Sequence, residues 1–248
     1  MTELWSCGGG TQSAAIAALI VSGRLPRPDL AVIIDTEREK SETWQYADAW
    51  LIPQLAAVGV TLHRVSKSAY ATVDLYASNG DVLLPVYTSN GGKLQGFCSN
   101  EWKQRVAKRW ARARGVEAAR CWIGYSFDER ERVKAPTERW WQLWYPLVER
   151  VVRRADCYRI VAEIGWPPPP RSACYMCPHQ SNAEWRALRE RAPEDFQKAI
   201  VIDELIREED ADMYVHRSGR PLRDANLADD DDRQGDLFGG CDSGHCFV

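Results

Sequence analysis

The 248-residue chain predicts an α/β fold, a mainly parallel sheet with flanking helices, on three observations. A glycine-rich turn, Ser6-Cys7-Gly8-Gly9-Gly10-Thr11-Gln12-Ser13, runs straight into the small-residue apolar stretch Ala14-Ala15-Ile16-Ala17-Ala18-Leu19-Ile20. One helix length later comes a continuous apolar run, Leu30-Ala31-Val32-Ile33-Ile34, the pattern of a strand covered on both faces. A right-handed crossover then brings the charged end of that run, Asp35-Thr36-Glu37, beside the glycine turn, where open α/β sheets take their ligands.

The elements follow in order. Leu4-Trp5-Ser6 ends a first strand, and residues 11–22 form a helix stopped by Gly23, with Pro26 and Pro28 beyond it. Residues 41–58 form a second helix, with Ser41 as candidate cap and Pro53 as a candidate break or kink, and residues 60–65 a third strand. Residues 66–97 lack periodicity and carry two Ser-Asn-Gly turns, so they read as a loop-rich insertion over the site. Ser99 or Asn100 caps a basic helix over residues 103–114, ended by Gly115. Residues 119–124 form a fourth strand. The aromatic stretch at 140–147 reads as core packing, with a base-stacking platform as the alternative. Residues 154–164 form a helix closed by Gly165, and four prolines at 167–170 make a stiff connector. Ser181 or Asn182 caps the next helix, and residues 192–209 form another. The expected organisation is an α/β domain over 1–165, a cysteine-containing helical extension over 166–224, and a flexible linker with a cysteine tail over 225–248.

Composition narrows the function classes. The chain is 45% hydrophobic and 27% charged, with a net charge of -3, and no apolar run reaches bilayer length, so a cytoplasmic protein without membrane contact is expected. In a reducing compartment its eight cysteines read as metal ligands, redox groups or buried small hydrophobes. Cys174 and Cys177 stand on a turn before a helix, where both sulfurs can face one ion; Cys241 and Cys246 form a second close pair, and His179 is either a ligand or a core residue.

Other residue types suggest anion chemistry. Consecutive glycines let backbone N–H groups face one side at a helix start, a phosphate cradle, though such a run also serves as a plain strand-to-helix turn. Asp35, Thr36 and Glu37 are candidates for the ribose, base or metal side of a nucleotide, or a solvated strand end. Arg130 or Arg132 can meet a phosphate while Asp128 or Glu129 holds them in place. In the basic helix Lys103, Arg105, Lys108, Arg109, Arg112 and Arg114 face a single acid, Glu101, which suits a nucleic acid or a solvated face.

In this order the motifs resemble the PP-loop, or adenine-nucleotide alpha-hydrolase-like, superfamily, and within it the phosphoadenylyl-sulfate (PAPS) reductase-like family. The resemblance is carried by Ser6 to Ser13, Ile34-Asp35-Thr36-Glu37, Cys98 with Trp102-Lys103, residues 124–132, the Cys174/Cys177 segment and residues 241–248, nearly the whole length. It implies a Rossmann-like (HUP-type) sheet binding ATP or another adenine nucleotide through Ser6, Gly8, Gly9, Gly10, Thr11, Gln12, Ser13, Asp35, Thr36, Lys103, Gly124, Arg130 and Arg132. The cysteine layout is similar to that of iron-sulfur members, the Dnd-type DNA phosphorothioation ATPase and the tRNA thiolation enzymes. That likeness implies a [4Fe-4S] cluster on Cys98, Cys174 and Cys177, with Cys241 or Cys246 as fourth ligand and the other as sulfur carrier, and Asp128 and Arg130 assisting catalysis. The family's loop usually has Asp before its final Ser where this chain has Gln12, which removes a carboxylate contact for Mg2+; the reductase-like branch also uses glutamine there.

The leading expectation is an iron-sulfur enzyme that adenylates a substrate with ATP and transfers sulfur, on tRNA or DNA and with a sulfur-donor protein as partners. The alternatives are a thiol-dependent PAPS or APS reductase and a non-catalytic nucleotide-binding module with structural zinc on the paired cysteines.

Overall fold

The computed structural model describes residues 1–136 and 138–228; Cys241, Cys246 and the acidic run at 229–232 lie outside the described residues. Along the chain run β1 (Thr2–Cys7), α1 (Thr11–Val21), β2 (Leu30–Asp35), α2 (Ser41–Tyr46), α3 (Ile52–Ala57), β3 (Leu62–Ser66), β4 (Tyr87–Thr88), α4 (Arg105–Ala113), β5 (Ala119–Ile123), β6 (Trp141–Trp144), α5 (Pro146–Glu149), α6 (Arg154–Glu163), α7 (Asn182–Arg191), α8 (Pro193–Glu209) and β7 (Met213–Tyr214). They divide into two compact units that interleave along the sequence, where the sequence reading drew consecutive segments. One is Met1–Tyr70 with Trp102–Ala173; the other is Ala71–Glu101 with the described residues from Cys174 onward.

The first unit is the expected Rossmann-like α/β layer. Its five strands lie in the order β3-β2-β1-β5-β6, and every neighbouring pair is parallel. From β1 the chain steps outward to β2 and β3, then returns to the other side of β1 for β5 and β6. Strand order therefore reverses between β1 and β5, and a parallel sheet opens a crevice at the carboxyl ends of such a pair. Register sets what faces the crevice. Ser6 is level with Val32 on one side and Ile123 on the other, so Gly8, Thr36 and Gly124 emerge at the same edge.

Helix α1 packs on this sheet with every residue from Thr11 to Ile20 buried, and its alanines let α6 lie close against it. Burial all round explains why it shows small apolar residues instead of an amphipathic stripe. The helix expected over 41–58 is present in two pieces, α2 and α3, joined by a π-turn at Ala47–Leu51 just before Pro53. Proline has no N–H and its ring crowds the carbonyl one turn back, so the wider turn absorbs the misfit. Residues 141–144, read from sequence as core packing, form the edge strand β6. The packing expectation also holds: Trp141 is buried, and Trp144 meets Trp122 edge-on with ring centroids 4.8 Å apart.

In the second unit residues 71–97, part of the stretch 66–97 expected to be loop-rich, are largely irregular apart from β4, which pairs antiparallel with β7, and the helix expected to open at Cys98 begins there. Ser181 caps α7 through a reciprocal box: Glu184 N–H donates to Ser181 Oγ at 3.2 Å, and Ser181 N–H donates to Glu184 Oε2 at 2.9 Å. Buried Asp203 on α8 accepts the N–H groups of Val215 at 2.9 Å and Leu222 at 3.0 Å, tying down the segment that follows. No helix among the described residues is long and apolar enough to cross a membrane.

Candidate functional site

The glycine turn stands where β1 delivers it to α1. Gly8 N–H donates to Ser13 Oγ at 2.8 Å, and the Gly10 carbonyl takes the first helical bond from Ala14. Ser13 thus closes the turn from within the helix. Gly9 has φ 75°, and a Cβ there would lie 2.8 Å from Thr43 Cγ2 and 3.2 Å from Ile33 Cδ1. Both the conformation and the space require glycine. Ser172 hydrogen-bonds the Gly8 carbonyl from the far end of the unit's sequence.

Around this turn opens a cleft lined by Ser6, Cys7, Gly8, Gly10, Gln12 and Ser13 from the loop, Ile33, Ile34, Glu39 and Thr43 from the β2 side, Ile123 and Gly124 from β5, and Lys103. Its charge is concentrated in one ion pair: Lys103 Nζ donates to Glu39 Oε1 at 2.7 Å, with the Glu39 side chain only 3% exposed. Glu39 Oε2 also receives Ser172 Oγ at 3.4 Å. Thr43 is 1% exposed, and its hydroxyl has no hydrogen-bond partner among the described residues. Burial pushes the Cys7 thiol up to about 11, even against a backbone hydrogen bond at Gly9, the Ser13 hydroxyl and the Lys103 charge, so this cysteine stays protonated at neutral pH.

Gln12 is turned to the protein. Its Nε2 donates to Glu129 Oε2 at 2.8 Å, an oxygen that also receives Ser126 N–H and Ser126 Oγ at 3.1 Å each. The other Glu129 oxygen pairs with Arg132 at 2.6 Å, and Arg132 reaches Tyr125 Oη at 3.1 Å. The loop after β1 and the turn after β5 are thereby latched at the crevice. Glu129 is the carboxylate that holds an arginine, as one sequence alternative had it, whereas Asp128 is exposed and accepts the N–H of Arg154 at 2.7 Å, at the start of α6.

Several sequence candidates stand apart from the cleft lining. Asp35 Oδ2 takes Arg64 Nε at 2.9 Å and an Arg64 amino group at 2.6 Å, and its Oδ1 takes Glu37 N–H. Thr36 is buried beside Glu39, and the Thr11 hydroxyl bonds Tyr158 Oη at 3.2 Å. Arg130 is exposed over Phe127 and near Glu131. In the basic stretch Lys103 meets Glu39, Lys108 meets Glu138, Arg109 reaches the Tyr70 carbonyl at 2.6 Å, and Arg112 stacks on Trp140 at 3.6 Å. These contacts hold the helix to its own unit. Glu39, Thr43 and Ser172 were not singled out from sequence. Glu39 offered one signal, an acid four residues past a strand end, and the two hydroxyls offered none.

The cysteines divide by unit. Cys121 and Cys157 in the first unit are buried thiols pushed up to about 12 by desolvation, core residues in character. Cys98, Cys174 and Cys177 all belong to the second unit. Cys177 N–H donates to the Cys174 carbonyl at 3.1 Å, the tight turn expected of the pair, and His179 Nδ1 lies 2.8 Å from Lys93 Nζ. Among the described residues no three Cys, His, Asp or Glu side chains gather in a way that would hold a metal ion. The described donors alone therefore do not make a cluster, zinc or magnesium site, and the remaining expected ligands, Cys241 and Cys246, lie outside the described residues.

An all-parallel α/β unit with a latched glycine turn at its strand-order reversal is the class of protein these features define. No protein-family model matches the chain, and no curated protein matches it. Among solved structures, the U34-tRNA thiolase NcsA from Methanococcus maripaludis with its [4Fe-4S] cluster matches over 83% of this chain and 71% of that chain, at 13% sequence identity and a TM-score of 0.45.

Proposed function

We propose that this chain is an adenine-nucleotide-dependent enzyme of the PP-loop type, which adenylates its substrate and passes it to a sulfur nucleophile. The observation that carries this is the glycine turn at the carboxyl ends of β1 and β5, opening on a cleft that contains the Lys103–Glu39 pair. Backbone N–H groups at a helix start receive phosphate oxygens, and Lys103 supplies the positive charge that a polyphosphate needs. In the step proposed, a substrate oxygen bonds to the α-phosphorus, its proton leaves to solvent, the bond between the α-phosphorus and the bridging oxygen breaks, and pyrophosphate departs with the electron pair. Sulfide-level sulfur delivered by a donor protein then bonds to the adenylated carbon of the substrate, the carbon–oxygen bond breaks, and AMP departs with its electron pair, so the step needs no oxidant or reductant. A nucleic-acid substrate, tRNA or DNA, remains part of the proposal through the basic residues at 103–114.

Cys98, Cys174 and Cys177, with Cys241 or Cys246 as the fourth ligand and the other as sulfur carrier, are the proposed cysteines of an iron-sulfur site, whose cluster would supply a soft, sulfur-binding metal. No step above depends on it. Thiol-dependent reduction of an adenylylated sulfate is favoured by one observation: Gln12, at the position where a carboxylate would hold Mg2+, is engaged by Glu129. Pyrophosphate release from ATP separates the two. ATP-dependent release in the presence of a tRNA or DNA substrate supports adenylation, and none, alongside binding of adenosine 3',5'-bisphosphate, supports the reductase.

A further inference from the structure

We infer that Thr43 is a ligand-recognition residue of the cleft, its hydroxyl donating to an oxyanion oxygen of the polyphosphate received by the glycine turn. The inference rests on the nucleotide reading above and deepens it. Three observations lead there. Thr43 is almost wholly buried and lines the cleft together with Gly8, Gly10 and Lys103. Among the described residues its hydroxyl oxygen has no hydrogen-bond partner, although buried polar groups almost always find one. Its orientation is fixed from both sides. The Thr43 N–H is bonded to the Lys40 carbonyl at 3.0 Å, and its methyl group fills the space that a Cβ on Gly9 would need.

A hydroxyl held this way is costly in the ligand-free protein and is repaid only when a partner arrives. The partner's chemistry follows from the neighbours. The cleft's cation is Lys103, and the adjoining backbone is the anion-receiving turn, so the group that meets Thr43 is an acceptor: a phosphoryl oxygen. Two sources share that chemistry, a nucleotide's phosphate chain and free pyrophosphate.

The test is calorimetric titration of the full chain with ATP and, separately, with inorganic pyrophosphate, on wild type, Thr43→Val and Thr43→Ser, with thermal denaturation of each ligand-free protein. Valine keeps the shape and removes the hydroxyl, and serine keeps the hydroxyl. A hydrogen bond to a charged acceptor predicts that Thr43→Val binds both ligands about 10- to 100-fold more weakly, while Thr43→Ser stays within about threefold of wild type. Ligand-free Thr43→Val is expected to melt at or above the wild-type temperature, because an unsatisfied buried polar group has been removed. Equal binding by Thr43→Val overturns the inference alone, as does a lowered melting temperature, which would mark a structural hydroxyl. Weakening for ATP but not for pyrophosphate overturns the oxyanion assignment. If wild type binds neither ligand, the nucleotide reading falls, and this inference with it.

Discussion

Substituting Gly9 by alanine separates two physical costs that the structure places at one residue. At φ 75° an L-residue loses about 1–2 kcal/mol to crowding of its Cβ against its own backbone. The new methyl would also lie 2.8 Å from Thr43 Cγ2 and 3.2 Å from Ile33 Cδ1, distances at which packed neighbours must move, for a further loss of about 1–3 kcal/mol. Two other glycines serve as internal controls. Gly115 has φ 76° with nothing within 4 Å of a built Cβ, so Gly115→Ala carries the conformational cost alone, about 1–2 kcal/mol. Gly124 has no positive φ, and its Cβ would make ordinary contacts at 3.6 Å with Gln12, Ile16 and Ser13, so Gly124→Ala costs less than about 1 kcal/mol. Urea denaturation at unchanged m-value gives the three losses. Gly9→Ala should lose about 2–5 kcal/mol in all and exceed Gly115→Ala by about 1–3 kcal/mol. Equal losses at Gly9 and Gly115 would refute the close approach of α2 to the glycine turn.

The Lys103–Glu39 pair predicts non-additivity: Lys103→Met leaves a buried carboxylate unpaired and should cost about 3–5 kcal/mol, much of it recovered in the double variant with Glu39→Gln, as a double-mutant cycle on denaturation midpoints would show. Glu129→Ala should destabilise by a similar amount, about 3–5 kcal/mol, and loosen the loop, read as faster amide exchange at Gly8 to Gln12, because four donors converge on that carboxylate. His216 is depressed from 6.5 to about 4, first by burial and then by Arg217, against the opposing pull of Asp203. A depressed histidine stays neutral in the folded state while the unfolded chain takes up its proton. The stability is therefore complete above about pH 6.5 and falls as pH drops toward 4, by up to about 3 kcal/mol, a slope that His216→Gln should flatten in pH-dependent denaturation. Glu37 is held at about 2 although burial alone would raise it, because Ser66, Ser68 and Lys67 favour its charged form. Its contribution is present above about pH 4.5 and is lost between there and pH 2; Glu37 is partly solvent-screened, so Glu37→Gln should flatten that acid limb only modestly.

The parts of the molecule legible in its sequence are those specified locally. The run from Leu30 to Ile34 announced a buried parallel strand because both faces are covered, and the Ser181–Glu184 spacing announced a helix start because the two side chains satisfy each other's backbone. The glycine turn was legible because its residues are consecutive. The site's remaining chemistry is not consecutive: Thr43, Lys103, Glu129 and Ser172 come from four distant segments, and only the strand order brings them around residues 8–13. Asp35 shows the same dependence on distant sequence. Its position at a strand end is that of a ligand contact, and its carboxylate pairs with Arg64 on the neighbouring strand, a partner that lies 29 residues away in sequence. Strand β6 was hidden by tryptophans, whose packing role masks the extended backbone beneath.

The position of a nucleotide's phosphates is measured directly by a crystal structure of the chain soaked or co-crystallised with a non-hydrolysable ATP analogue. The expected result is phosphate oxygens within hydrogen-bond reach, about 3 Å, of the backbone N–H groups of the glycine turn, with the Lys103 ammonium turned toward them. Phosphate density elsewhere on the protein, with residues 8–10 and Lys103 unchanged, would contradict it.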